Sequence, residues 1–237
     1  EMIFFGGQVD LDSDGNVRNP GDLGKQTQAT MEYIRIVLGE FEADVEDLVK
    51  LICFYVHTNE EDRTRLLDEV ASALGDGPGP VISLIPLPGL AYEDMMVEIE
   101  GIAMRSVEGS RMPKFASTRT GGYAHLPKPL SHALRCGRMI FVGGQTTLTA
   151  DDGIKHESDL VAQSHEVAEQ IGNLLSEFGA SYGDVVKINR YYVAGGTAEE
   201  WEGAALAVGS YFEEPGPAAT GIPIPQLFRP GLMVSVE

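Results

Sequence analysis

The stretch Met2-Ile3-Phe4-Phe5-Gly6-Gly7-Gln8 returns as Met139-Ile140-Phe141-Val142-Gly143-Gly144-Gln145. One fixed offset then pairs Asp22-Leu23 with Asp159-Leu160 and Gln26 with Gln163. It pairs Phe41 with Phe178, Asp47 with Asp184, Val49-Lys50 with Val186-Lys187, and Tyr55-Val56 with Tyr192-Val193. Farther on it pairs Pro78-Gly79-Pro80 with Pro215-Gly216-Pro217, Pro86 with Pro223, Pro88 with Pro225, and Glu100 with Glu237. A register held over that distance marks a duplicated unit. The chain is a tandem repeat.

Each copy has the same local grammar. An apolar run, Met2 to Phe5 or Met139 to Val142, ends in Gly-Gly and predicts a buried strand. Asp-rich turns at Asp12-Ser13-Asp14-Gly15 and Asp151-Asp152-Gly153 suit a hairpin. An amphipathic helix follows, with Ile34, Val37, Leu38 and Phe41 on one face, repeated as Ile171, Leu174, Leu175 and Phe178. Then comes a strand rich in β-formers, Val49 to Val56 or Val185 to Val193. A second helix starts at a cap, Asn59 or Thr197, the latter with Glu200 placed for a capping box. Pro-Gly-Pro stops that helix. Two strands close each unit, the second being Met95 to Met104 in copy one and Met233 onward in copy two.

Composition narrows the function classes. With 17 basic against 36 acidic residues the net charge is -19, a surface that repels phosphate backbones. No apolar run approaches the ~20 residues of a membrane-spanning helix. The expected setting is therefore cytoplasmic, with neither nucleic acid nor membrane as partner. Two cysteines, Cys53 and Cys136, suit a reducing compartment. The chain opens at Glu1, and the natural protein is expected to extend beyond both ends. The copies run over 1–104 and 129–237, joined by a linker over 105–128. That linker carries Arg105, Arg111, Lys114, Arg119 and Lys128 against Glu108 alone. It is either an exposed connector with solvated charges or a strap over an acidic surface or anionic ligand.

The unit resembles the Rid family, reactive-intermediate deaminases of the YjgF type. The resemblance rests on Phe141-Val142-Gly143-Gly144-Gln145, on Asp159-Leu160 with Gln163, and on Asp184-Val185-Val186-Lys187. It rests also on the run from Val97 to Ala103 and the approach Lys128-Pro129-Leu130-Ser131-His132-Ala133. It implies an α+β fold: two tandem chorismate-mutase-like (YjgF-type) domains, each a mixed sheet with two helices on one face. It implies hydrolysis of enamines and imines with no metal or cofactor, in pockets between neighbouring domains of a trimeric ring. The family's carboxylate-binding arginine falls at Ile82 in copy one and Ala219 in copy two, and neither can take that role. Its serine before Gly-Gln is Gly6 and Gly143, and its aromatic residue before Ser131 is Leu130. Its water-activating glutamate is kept as Glu98 but is Ser235 in copy two.

Glu98, between Val97 and Ile99, is thus the candidate catalytic base, or else a paired structural carboxylate. Candidates for substrate binding are Arg190, Thr220, Ser131 and Ser235. Arg190 sits mid-strand where copy one has Cys53, and an arginine there must find an ion pair, an anionic ligand or solvent. Thr220 follows the lost arginine position, mirrored by Ser83, and either hydroxyl could equally be ordinary strand furniture. The histidines show no metal-ligand spacing, and neither a nucleophile elbow nor a phosphate loop occurs. The leading reading is a divergent hydrolase or deaminase of a small C–N metabolite. The alternative is a non-catalytic module that binds a small ligand. The smallest closed assembly that uses every domain equivalently is a homotrimer with six domains in two rings.

Overall fold

The computed structural model describes residues 1–118 and 122–237, so the linker cation Arg119 lies outside the described residues. The contacts divide into two units: residues 1–116 with 126–141, and residues 117–125 with 142–237.

In the first unit the strands β1 (Met2–Gln8), β2 (Leu48–Val56), β3 (Val81–Leu87) and β4 (Val97–Met104) form one sheet in the order β1-β4-β2-β3. β1 and β2 run antiparallel to β4, and β3 runs parallel to β2. A parallel neighbour requires a crossover, supplied by helix α2 (Glu61–Ser72). β2 alternates buried and half-buried residues, with Leu51, Cys53 and Tyr55 fully enclosed. Helix α1 (Leu23–Gly39) buries Leu23, Met31, Ile34 and Leu38, and Asp22 caps it by accepting from the Lys25 N–H. Phe41, expected on the buried stripe, lies beyond the helix end and is exposed, because the chain turns through a left-handed Glu42. α2 begins one residue later than the Asn59 cap implies, although the Asn59 side chain still accepts from the Glu61 N–H.

The second unit repeats the plan. Strands β8 (Lys187–Val193), β9 (Ala218–Ile224) and β10 (Val234–Val236) pair in the order β10-β8-β9, with β9 parallel to β8. Helix α3 (Leu160–Glu177) is capped by Asp159, and α4 (Ala198–Gly209) opens with the Thr197–Glu200 capping box. The repeated glutamine is the deepest common feature. Gln26 is fully buried, donates to the carbonyls of Asn19 and Asp94, and accepts from the Met96 N–H. Gln163 does the same with His156, Gly231 and Met233. One amide satisfies three backbone groups in each copy, so the Asp-Leu-x-x-Gln pattern ties the first helix to the loop entering the last strand.

Three further strands, β5 (Lys114–Ala116), β6 (Ala133–Cys136) and β7 (Met139–Val142), make a third sheet. Leu134, Cys136 and Phe141 pack with Val49, Val81 and Met104 in one apolar cluster. The opening hairpin of the second sequence copy thus contributes to the core of the first unit. The linker's leading half is fastened there too. Arg105 and Arg111 grip the wholly buried Asp47 side chain at 2.9 and 3.2 Å, and Arg111 also reaches Glu46. Lys114 donates to the Leu48 carbonyl at 3.0 Å, and burial pushes its ammonium down to about 8. For these residues the strap is the arrangement found. Among the described residues no helix is long and apolar enough to cross a membrane. The α+β architecture of tandem YjgF-type units, each with helices on one sheet face, is the one the resemblance implies.

Candidate functional site

Glu98 lies on β4 between Val97 and Ile99, both fully buried, so strand alternation turns it toward the other face, in register with Phe54. Next to it β1 is irregular. Its pairing with β4 shifts between Phe5 and Gln8, where Gly6-Gly7 sits. A side chain at Gly7 would collide with the Glu98 carboxylate, so the glycine leaves the seat that the carboxylate occupies. Glu98 is half-buried and makes no hydrogen bond or ion pair with any described residue.

The other sequence candidates divide between the two units. Ile82, where the resemblance puts the family's arginine, is buried on β3 opposite Leu51. Ser131 is buried in the first unit and its hydroxyl donates to the Gly79 carbonyl at 3.1 Å. Ser235, Thr220 and Arg190 belong to the second unit. Ser235 is buried opposite Tyr191. Thr220 is exposed on β9 and accepts from the Lys187 ammonium at 2.7 Å. Arg190 stands on the opposite face of β8 from Tyr191, toward α4. It is half-buried with no hydrogen bond or ion pair among the described residues, and loss of hydration lowers its pKa. Gly7 as the seat for Glu98 went unread in the sequence; the signal was the Gly-Gly pair interrupting an otherwise apolar strand.

Two YjgF-type units in one chain define a tandem class of this fold. A family profile described as Endoribonuclease L-PSP matches residues 1–105 and 124–237. The chain belongs to that family. It is 40% identical over 68 residues to a RutC family protein of Pyrococcus abyssi, a match covering 27% of this chain and 54% of the relative. It thus spans about half of that relative's length. A RutC family protein of Pyrococcus horikoshii is 27% identical over 114 residues, covering 47% of this chain and 87% of the relative. A chorismatase crystal structure superposes with a TM-score of 0.68 at 12% identity, covering 99% of this chain and 72% of that one. That likeness is one of fold.

Proposed function

We propose that the chain is a divergent hydrolase or deaminase of small enamine- or imine-like C–N metabolites, with Glu98 as general base. The observation that carries this is the unpartnered, half-buried Glu98 carboxylate on its glycine seat. Glu98 takes a proton from water as the water oxygen bonds to the imine carbon. The π pair of the C=N bond moves onto nitrogen, which takes that proton from Glu98 to give a carbinolamine. Glu98 then takes the carbinolamine hydroxyl proton and passes it to the nitrogen, so that C=O forms as the C–N bond breaks and ammonia leaves. The second reading, a non-catalytic small-ligand module, is favoured by buried Ile82 and by serine at 235. The family description names an endoribonuclease, but a net charge of -19 gives RNA a repulsive surface. The proposed partner is a small metabolite in the cytoplasm, without nucleic acid, membrane, metal or cofactor.

Loss of the arginine sets the substrate preference. A charged hydrogen bond contributes ~1.5–3 kcal/mol, so carboxylate-bearing 2-aminoacrylate should turn over about ten to a hundred times more slowly than in relatives with the arginine. The carboxylate-free acyclic imine propan-2-imine should escape that penalty. Stopped-flow loss of imine absorbance compares the two. Fast 2-aminoacrylate turnover would show that another cation holds the carboxylate.

The proposed assembly is three chains carrying six domains. Divergence within matched strands supports distinct surroundings for the two copies: Cys53 against Arg190, Glu98 against Ser235. Light scattering should give a mass near three times 25.6 kDa, and a monomer mass at micromolar concentration would exclude the rings.

A further inference from the structure

Lys114 occupies the core-facing side of its strand. Met112 and Ala116 flank it at strand spacing, and both pack against the apolar cluster of Val49, Val81, Met104 and Cys136. Its cross-strand partner on β6 is Cys136, a buried thiol. Among the described residues the amine has one hydrogen-bond partner, the Leu48 carbonyl. The carboxylate that acts on it, Asp47, is already committed to Arg105 and Arg111. A charge is expensive in such a place, and burial brings the pKa of the ammonium down to about 8. A neutral amine gives the Leu48 carbonyl the same hydrogen bond and keeps a lone pair to spare. The ties to Asp47 are arginines, which keep their charge; this tie is a residue that can lose it.

Space adjoins the lysine. It belongs to the lining of a cavity of about 390 Å³, with Val45, Leu74, Pro78, Pro80 and Met112. Arg111 and Glu46 line it too, but they pair with each other. Neither Ile82 nor Glu98 is in the lining, so the cavity is separate from both positions. A nucleophilic amine beside apolar walls suits an uncharged guest with an electrophilic carbon and a short hydrocarbon body.

We propose that Lys114 captures small apolar aldehydes in this cavity as a reversible imine. The Nζ lone pair adds to the carbonyl carbon, and the C=O π pair moves to oxygen, which takes one proton from nitrogen. The carbinolamine then loses its hydroxyl together with the remaining N–H proton as water, leaving C=N. When protonated, that imine still donates to the Leu48 carbonyl. Capture goes beyond the hydrolysis assigned to Glu98. The two can fail separately, because capture is read as a label on Lys114 and not as turnover.

The test treats the full chain with 3-methylbutanal and cyanoborohydride, which reduces the imine to a stable secondary amine. Peptide mass spectrometry then locates the label. At about pH 7 Lys114 should be labelled at least about tenfold faster than Lys25, Lys50, Lys128, Lys155 or Lys187, which serve as internal controls. The lead should shrink between about pH 8 and about pH 10, as the other lysines lose their protons. The groups around the amine that bear on this dependence are Asp47 and Glu46 on the turn before β2, Asp76 in the cavity loop, Arg111 on its own segment, and the Cys136 thiol, which burial keeps protonated. Glycolaldehyde, with a polar body on the same reactive carbon, should show about a tenth of the preference for Lys114 or less. Lys114→Arg keeps a donor for the Leu48 carbonyl and should abolish the fast phase of uptake, with circular dichroism confirming that the variant is folded. Equal labelling of all six lysines at about pH 7, an equal preference with glycolaldehyde, or a fast phase surviving in folded Lys114→Arg would each overturn the proposal.

Discussion

Glu98→Gln is expected to lower the rate of imine hydrolysis by about 10²- to 10⁴-fold, the range contributed by a positioned general base. Glutamine matches glutamate in shape, so it keeps the seat beside Gly7 and the β4 pairing with Phe54. It removes only the ability to accept the water's proton. KM should change little, because the side chain is assigned to water and not to the substrate's anchoring groups. Gly7→Ala provides the converse variant: it keeps the carboxylate and displaces it from its seat. A Glu98→Gln protein hydrolysing propan-2-imine at the wild-type rate would remove Glu98 from the mechanism and favour the binding module.

The second large effect is on stability. Asp47→Ala should destabilise the chain by about 3 kcal/mol, at the low end of the range for breaking a buried ion pair because Arg111 is half exposed. The Asp47 carboxylate is wholly enclosed, and it accepts from Arg105, from Arg111 and from the Asp44 N–H. Alanine abandons all three donors. The repeat supplies its own control. Among the described residues Asp184, the counterpart in copy two, accepts only from the Ser181 N–H and hydroxyl. Asp184→Ala should therefore cost only about 1 kcal/mol, as for the loss of a cap. Urea unfolding followed by far-ultraviolet circular dichroism measures both. Equal midpoint shifts would mean that the two linker arginines contribute nothing beyond the turn itself.

These two aspartates show what a one-dimensional reading can and cannot reach. Their pairing in the repeat was visible, as were Gln26 and Gln163, because a glutamine that satisfies three backbone groups must recur wherever the loop recurs. The Thr197–Glu200 capping box was legible for the same reason: its partners are neighbours in sequence. The clamp on Asp47 was not, since Arg105 and Arg111 reach it across more than fifty residues of chain. The seat of Glu98 depended on a bulge, and register shifts leave no trace in hydrophobic alternation.

The hairpin of β6 and β7 has an evolutionary corollary. Leu134, Cys136 and Phe141 belong by descent to the second copy, yet they shelter Val49, Val81 and Met104 of the first. Fission of the gene at the repeat boundary would strip that cover and leave the amino-terminal product with a bare, sticky patch. Point substitutions can drift in one copy while the other holds its chemistry, as serine at 235 beside glutamate at 98 illustrates. Separation into two polypeptides would therefore uncover part of the amino-terminal unit's core.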